Sequence, residues 1–302
     1  MRLRLRPAFP LGPPAWPSQV PRPRPRRRTG VHYDTSWALK WPSRLVRAVV
    51  VDDVYRPLVA VLASPRITGL DRIAEIEAPV IFAANHHSHL DTPLVLTSLP
   101  KRFRRRAVVA AAADYFFTSP ARSAVSALTI GAIPIERTRV NRRSADLAAD
   151  LLGQGWSLVI FPEGGRSPDG WGQDFRGGAA YLAFRTGRPV VPVYVEGTRR
   201  VLKKGAKYPT PVGSPFVRGS GVQVAFGTPV WPGSDDPRRF ALRVQAAVAA
   251  VGDEVHTDWW TARRRAAAGT TPPLTGPVAS PWRRAWALPD GGPADDRQAA
   301  WP

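Results

Sequence analysis

Between residues 85 and 91 the chain reads Asn85-His86-His87-Ser88-His89-Leu90-Asp91. His86 and Asp91 stand five residues apart, directly after an apolar run at 78–84 that reads as a buried strand. A strand ending at His86 and a helix opening near Asp91 bring an imidazole and a carboxylate together. A neutral imidazole held by a carboxylate takes a proton from a hydroxyl near neutral pH. That chemistry suits moving an acyl group onto an alcohol. Taken singly, each residue also has a plainer use. Asp91 precedes Thr92-Pro93 and could cap a helix. His87 and His89 read as packing or surface residues.

Three further strings carry charge at the ends of apolar runs. Residues 131–138, Gly-Ala-Ile-Pro-Ile-Glu-Arg-Thr, deliver Arg137 where a short strand stops. An arginine there clamps a phosphate through its fork of N–H donors, or pairs with Glu136 or another carboxylate at the surface. Residues 158–167, Leu-Val-Ile-Phe-Pro-Glu-Gly-Gly-Arg-Ser, break a buried strand at Pro162 and open a glycine turn bearing Glu163 and Arg166. The alternative is a turn with a local ion pair, but strand-end loops of parallel sheets are the usual ligand site. Phe175-Arg176-Gly177-Gly178-Ala179 reads as a helix entrance, and residues 190–194, Val-Val-Pro-Val-Tyr, as a strand lining the same region.

The His-x-His-x-Asp spacing of residues 87–91 resembles the opening of the metallo-β-lactamase ligand string. Only five histidines exist (His32, His86, His87, His89 and His256) and there is no cysteine. A dinuclear site is short of ligands, so none is expected. The lack of cysteine also excludes disulfides and a cysteine nucleophile.

These residues must be positioned by a frame, and the frame reads as α/β. Apolar runs at 79–84, 106–112, 130–135, 157–161, 189–195 and 221–227 alternate with helical patterns near 92–99, 119–128, 143–153, 177–186 and 236–252. Such alternation predicts one domain with a largely parallel sheet flanked by helices, over residues 65–263. Residues 1–30 are rich in Pro and Arg and hold no acidic residue, which predicts a disordered basic arm. Residues 31–64 form an amphipathic helical segment with Trp37, Trp41, Leu45 and Val49 among basic residues. It lies on a membrane surface or packs as a helical pair on the core. Residues 264–302 read as a loop-rich tail. There is no apolar run of 18 residues, so a spanning helix is not expected. Nor does the arginine-bearing start look like a signal peptide. The 43 Lys and Arg against 23 Asp and Glu leave a formal net charge of +20. That excess suits anionic lipid, phosphorylated substrates or nucleic acid.

With the four strings in order, the chain resembles the lysophosphatidic acid acyltransferase family, also called glycerolipid or PlsC-like acyltransferases. The family blocks correspond to NHHSHLD at 85–91, GAIPIER at 131–137, FPEGGRS at 161–167 and VVPV at 190–193. The resemblance covers roughly residues 65–230. One position departs from it: Gly165 stands where the family usually has Thr, which removes a hydroxyl from the acceptor loop.

The resemblance implies that His86 is the general base and Asp91 its orienting carboxylate, with Arg137, Glu163, Gly164 and Arg166 holding the acceptor phosphate. It implies direct attack of the acceptor hydroxyl on an acyl-CoA or acyl carrier protein thioester, with no acyl-enzyme, metal or other cofactor. The expected acceptor is lysophosphatidate; glycerol-3-phosphate or a glycolipid is the alternative. The expected setting is the cytoplasmic face of an anionic membrane, as a peripheral protein. A basic nucleic-acid-binding protein is the competing class, though no zinc finger, RNP motif or basic zipper is present.

Overall fold

The computed structural model describes residues 30–137, 142–213, 219, 221–234 and 236–288. The basic arm, apart from Gly30, and the last residues of the tail lie outside this set.

Seven strands form one sheet: β1 Arg66–Thr68, β2 Ile81–Ala84, β3 Ala107–Ala112, β4 Ala132–Ile135, β5 Ser157–Ile160, β6 Val190–Glu196 and β7 Gln223–Phe226, in the spatial order β1-β7-β6-β2-β5-β3-β4. Five neighbouring pairs are parallel; β6 and β7 are antiparallel. The largely parallel α/β sheet anticipated from the alternation is therefore present. Its central strands read as continuous apolar runs because helices cover both faces. Every residue of β2, β5 and β6 is buried. The two-residue period of β2 sorts its side chains. Phe82 and Ala84 join a core with Leu94, Leu99, Phe103 and Phe226; Ile81 and Ala83 join one with Ile133, Leu152, Leu158 and Phe240. Pro134 is accommodated because β4 is an edge strand.

The six anticipated strands are all found, five of them somewhat shortened and β6 displaced by one residue. β1 was not anticipated: its three residues are exposed, so no apolar pattern marks it. The last anticipated helix runs longer, Pro237–His256. The boundary drawn at residue 263 falls inside a helix, Trp259–Ala268. Its own sequence marks it: the Asp258 side chain accepts from the Trp260 and Thr261 amides, and Gly269 closes it in the left-handed conformation. A further short helix, Pro281–Trp286, lies where a loop-rich tail was anticipated.

The 31–64 segment is helical, with Trp41–Val49 and Arg56–Ala63 joined through a π-helical stretch, Val50–Tyr55. Arg47 pins it to the body. Its buried guanidinium donates to Ala38 O, Ala127 O and Leu128 O at 2.6, 3.0 and 3.0 Å. Two of those carbonyls lie in the last turn of helix Pro120–Ile130, where carbonyls lack helical partners and a cation is favoured. Burial pushes the Arg47 pKa down to about 10, so it stays charged at neutral pH.

Candidate active site

Strand β2 ends at Ala84, and the side chain of Asn85 extends its pairing with β6. Its amide donates to Val195 O and accepts from Val195 N, both at 2.7 Å. This fixes the chain immediately before His86. Helix Asp91–Ser98 then opens on Asp91, which is fully buried. The carboxylate of Asp91 is saturated with donors. Oδ2 accepts from His86 Nδ1 at 2.8 Å, His87 N at 2.7 Å and Ser88 N at 2.8 Å; Oδ1 accepts from Thr198 Oγ1 at 2.5 Å. Burial opposes the charge, but the hydrogen bond and charge of His86 and the amide of Ser88 hold the Asp91 carboxyl below its ordinary range. Asp91 is the first residue of that helix, with Leu90 in the cap position, and its carboxylate binds the amides of residues 87 and 88 ahead of the helix, so it holds the His86 loop and does not cap the helix as one reading of the sequence expected.

An ionised Asp91 accepts only, so Nδ1 of His86 carries the proton and Nε2 is left with its lone pair. The ring stacks on Phe161, centroids 4.2 Å apart, and lines a cavity of about 900 Å³. Ser88 is buried, and its hydroxyl donates to Leu202 O at 2.8 Å, a structural use. His89 also lines the cavity. Burial first, then the positive charge of Arg166, push its pKa down to about 4, so it is neutral; Nε2 lies 2.9 Å from Tyr115 Oη. Among the described residues no group of three or more His, Asp or Glu is placed to hold a metal ion.

The cavity has two chemical zones. Its mouth, an exposed and half-exposed rim, carries His86, His89, Arg137, Arg166, Arg176 and Lys204, with one carboxylate, Glu136, among them. Its interior is apolar, with the alanine run 110–112 of β3 leaving space between Ile135, Leu158, Ile160 and Leu182. A cationic mouth over an apolar pocket fits an amphiphile whose head is anionic.

The four anticipated phosphate-site residues divide. Arg137 reaches the mouth, but its guanidinium is shared: one amino group pairs with Asp114 at 2.6 Å and another donates to Gly164 O at 3.3 Å. Arg166 reaches the mouth with no carboxylate partner among the described residues. Gly164 lines it with a φ of +74°, a left-handed backbone that favours glycine. Glu163 is turned inward, 2% exposed. Its Oε1 accepts from His86 N at 2.9 Å and its Oε2 from Gln173 N at 3.0 Å. Burial pushes its pKa up to about 8. The geometry gives Glu163 the task of holding the His86 backbone and the loop, instead of contacting an acceptor. At Gly165 a Cβ would sit 3.8 Å from Arg137, an ordinary contact, so the backbone does not demand the departure from Thr.

Thr198, Asp114 and Lys204 were not singled out from the sequence. Thr198 lies 107 residues from Asp91, just beyond β6. Only its position directly after the VVPV strand hinted at it.

Residues 64–196, which contain all four motifs, match the family model described as Acyltransferase. The chain is similar to the chloroplastic 1-acyl-sn-glycerol-3-phosphate acyltransferase of Arabidopsis thaliana, 32% identical over 143 residues, covering 47% of this chain and 38% of that protein. It is 29% identical over 143 residues to the chloroplastic counterpart from Brassica napus, with 47% and 40% covered. The chain thus spans about two-fifths of the length of these relatives. Its fold matches the crystal structure of the 1-acyl-sn-glycerophosphate acyltransferase PlsC from Thermotoga maritima, with a TM-score of 0.55, 24% identity, and 75% and 85% of the two chains covered.

Proposed function

From the acyltransferase match over residues 64–196, we propose that this chain moves a fatty acyl group from an acyl-CoA or acyl carrier protein thioester to the free hydroxyl of lysophosphatidate, within phospholipid synthesis. The observation that carries the reading is His86, held by buried Asp91, at the cationic mouth of an apolar cavity. Lysophosphatidate has the matching parts: a phosphate for Arg166 and Arg137, a hydroxyl for His86 Nε2, and a chain for apolar surroundings.

The step follows from that placement. His86 Nε2 takes the hydroxyl proton as the oxygen attacks the thioester carbonyl carbon. Asp91 stabilises the imidazolium that forms. The tetrahedral centre collapses with cleavage of the C–S bond, and His86 returns the proton to the departing thiolate. An ester and a free thiol result, with no acyl-enzyme and no metal or cofactor in the scheme.

We place the reaction at an anionic membrane surface, on the face where acyl thioesters are supplied. Among the described residues no helix is long and apolar enough to cross a membrane. The outer side of the N-terminal helical segment nonetheless exposes Trp41, Leu45, Val49, Val54, Leu58 and Val61. The deciding experiment is transfer of radiolabelled acyl-CoA to lysophosphatidate, glycerol-3-phosphate and a glycolipid, by wild type and His86→Ala. Label in phosphatidate that depends on His86 supports the reading. Preferential labelling of another acceptor reassigns the substrate, and transfer that survives His86→Ala overturns the mechanism.

A further inference from the structure

The loop after β5 carries Arg166, and its inner half is anchored from within. Glu163 accepts from His86 N and Gln173 N; Ser167 N donates to His86 O at 2.8 Å. Its outer half, 169–172, is anchored by a distant part of the chain. Arg284 donates to Asp169 Oδ2 through Nε at 2.9 Å and through an amino group at 2.7 Å. Another amino group of Arg284 donates to Pro277 O at 2.9 Å, which fixes its direction. Trp171 Nε1 donates to Arg284 O at 2.9 Å. Gly172 N donates to Leu274 O at 2.9 Å, as one strand of backbone grips another. The Trp171 ring lies against Gly276 so closely that a Cβ there would fall 2.2 Å from it, and Gly276 has a φ of +73°. Leu274 and Phe175 pack on the same small core with Tyr194 and Val251, so the strap is seated on the body of the domain.

These contacts are of every kind: charge-assisted, backbone to backbone, aromatic, and apolar. They converge on Asp169, Trp171 and Gly172, which lie between Arg166 and the cavity-lining Gln173. The strap falls beyond residue 196, where the acyltransferase match ends. We propose that residues 269–288 are a strap that positions the acceptor loop, with Asp169, Trp171 and Arg284 as positioning residues that set affinity for the acceptor's phosphate. The proposal rests on the acceptor reading of Arg166 given above. Gln173, which follows the strapped residues, donates through Nε2 to Gly165 O at 3.2 Å, so loosening 169–172 is passed to the residue beside Arg166, while Glu163 and Ser167 keep their own ties to the His86 backbone.

The test uses the full chain with Arg284→Ala, Asp169→Ala, the double variant and Arg284→Lys. Acyl-CoA and lysophosphatidate kinetics are combined with hydrogen exchange of the 163–176 peptide and a thermal melt. Each alanine variant raises the lysophosphatidate KM about three- to tenfold, the double variant is no worse than the worse single, and Arg284→Lys is intermediate. The thioester KM and kcat stay within about twofold, and amides of 166–173 exchange faster. Unchanged exchange in 163–176 overturns the strap. So does a lower melting temperature with both KM values unmoved, which marks a purely structural contact. Wild type that does not acylate lysophosphatidate overturns the acceptor assignment instead, and the exchange pattern then judges the clamp alone.

Discussion

After β2, residues 85–91 close upon themselves: every oxygen of Asp91 is met by a donor, and Asn85 is locked to β6. After β5, residues 161–176 do the reverse. That loop buries one carboxylate, Glu163, turns Arg166 and Arg176 to the cavity, and takes its outer support from residues 274–284. The first loop presents His86 Nε2 on a frame in which its neighbours are hydrogen-bonded. The second presents positive charge on a backbone that glycines allow to approach a ligand. A proton transfer demands sub-ångström placement, whereas phosphate recognition tolerates a softer frame, and in the proposed reaction the two loops would divide those demands.

The comparison breaks most visibly at His86. His86→Ala lowers kcat by at least ~10²-fold, the scale of lost general-base catalysis, with the circular dichroism spectrum unchanged. Near-normal turnover in that variant would remove the first loop's catalytic role. Asp91→Asn is impaired on the same scale and is less stable, since an amide oxygen cannot accept all four donors. The Asp91 carboxyl is held below its unfolded value. Its contribution to stability is therefore complete above the ordinary carboxylate range and is lost as pH falls through the folded pKa.

Glu163 joins the two loops, and its replacement distinguishes support of His86 from contact with the acceptor. Glu163→Gln keeps one acceptor oxygen and loses the other, so kcat falls on the order of tenfold while the acceptor KM moves little. A change confined to that KM would return Glu163 to the phosphate site. The same variant carries a pH signature. The folded pKa is raised from 4.5 to about 8, so between those values the folded state keeps a proton that the unfolded state releases. Stability from this group falls as pH rises across that window. Glu163→Gln flattens that fall in urea melts taken from acid to alkaline pH.

Within the second loop, Arg166 and Arg137 are unequal. Arg166→Ala raises the lysophosphatidate KM on the order of tenfold, the worth of a charge-assisted contact. Arg137→Ala raises it less, because Arg137 already shares its charge with Asp114. Equal effects would mean that the Asp114 pair opens when the acceptor binds.

Much of this division was legible in the residues. The His86–Asp91 spacing, the strand before it and the glycine turn at 164–165 encode local geometry, so local reading found them. What escaped has no local signal. Thr198 and Arg284 act on partners more than a hundred residues away. Glu163 carries the same letter whether it faces a ligand or a backbone amide. β1 is exposed along its length, and its place beside β7 is decided by sheet order alone. The alanines at 110–112 read as strand, yet their small size is what opens the cavity.

The smallest effect on chemistry is anticipated farthest from both loops. The N-terminal helical segment has two apolar sides. Arg47, Val51, Val59 and Ala63 are turned to the body, while Trp41 stays 69% exposed and Leu45 57% exposed. A single apolar face is explained by packing; a second one, left in solvent beside basic residues, is what the proposed lipid interface would use. Leu45→Glu with Val49→Glu leaves Arg47 and the inner face intact. The pair lowers sedimentation with anionic liposomes, and the remaining binding is more sensitive to salt, because charge then carries more of it. Turnover of a short-chain, water-soluble lysophosphatidate is unaltered, since no active-site contact is touched. Wild type that stays in the supernatant with every lipid would make this outer face a feature of packing alone. Loss of soluble turnover in the double variant would make it part of the site.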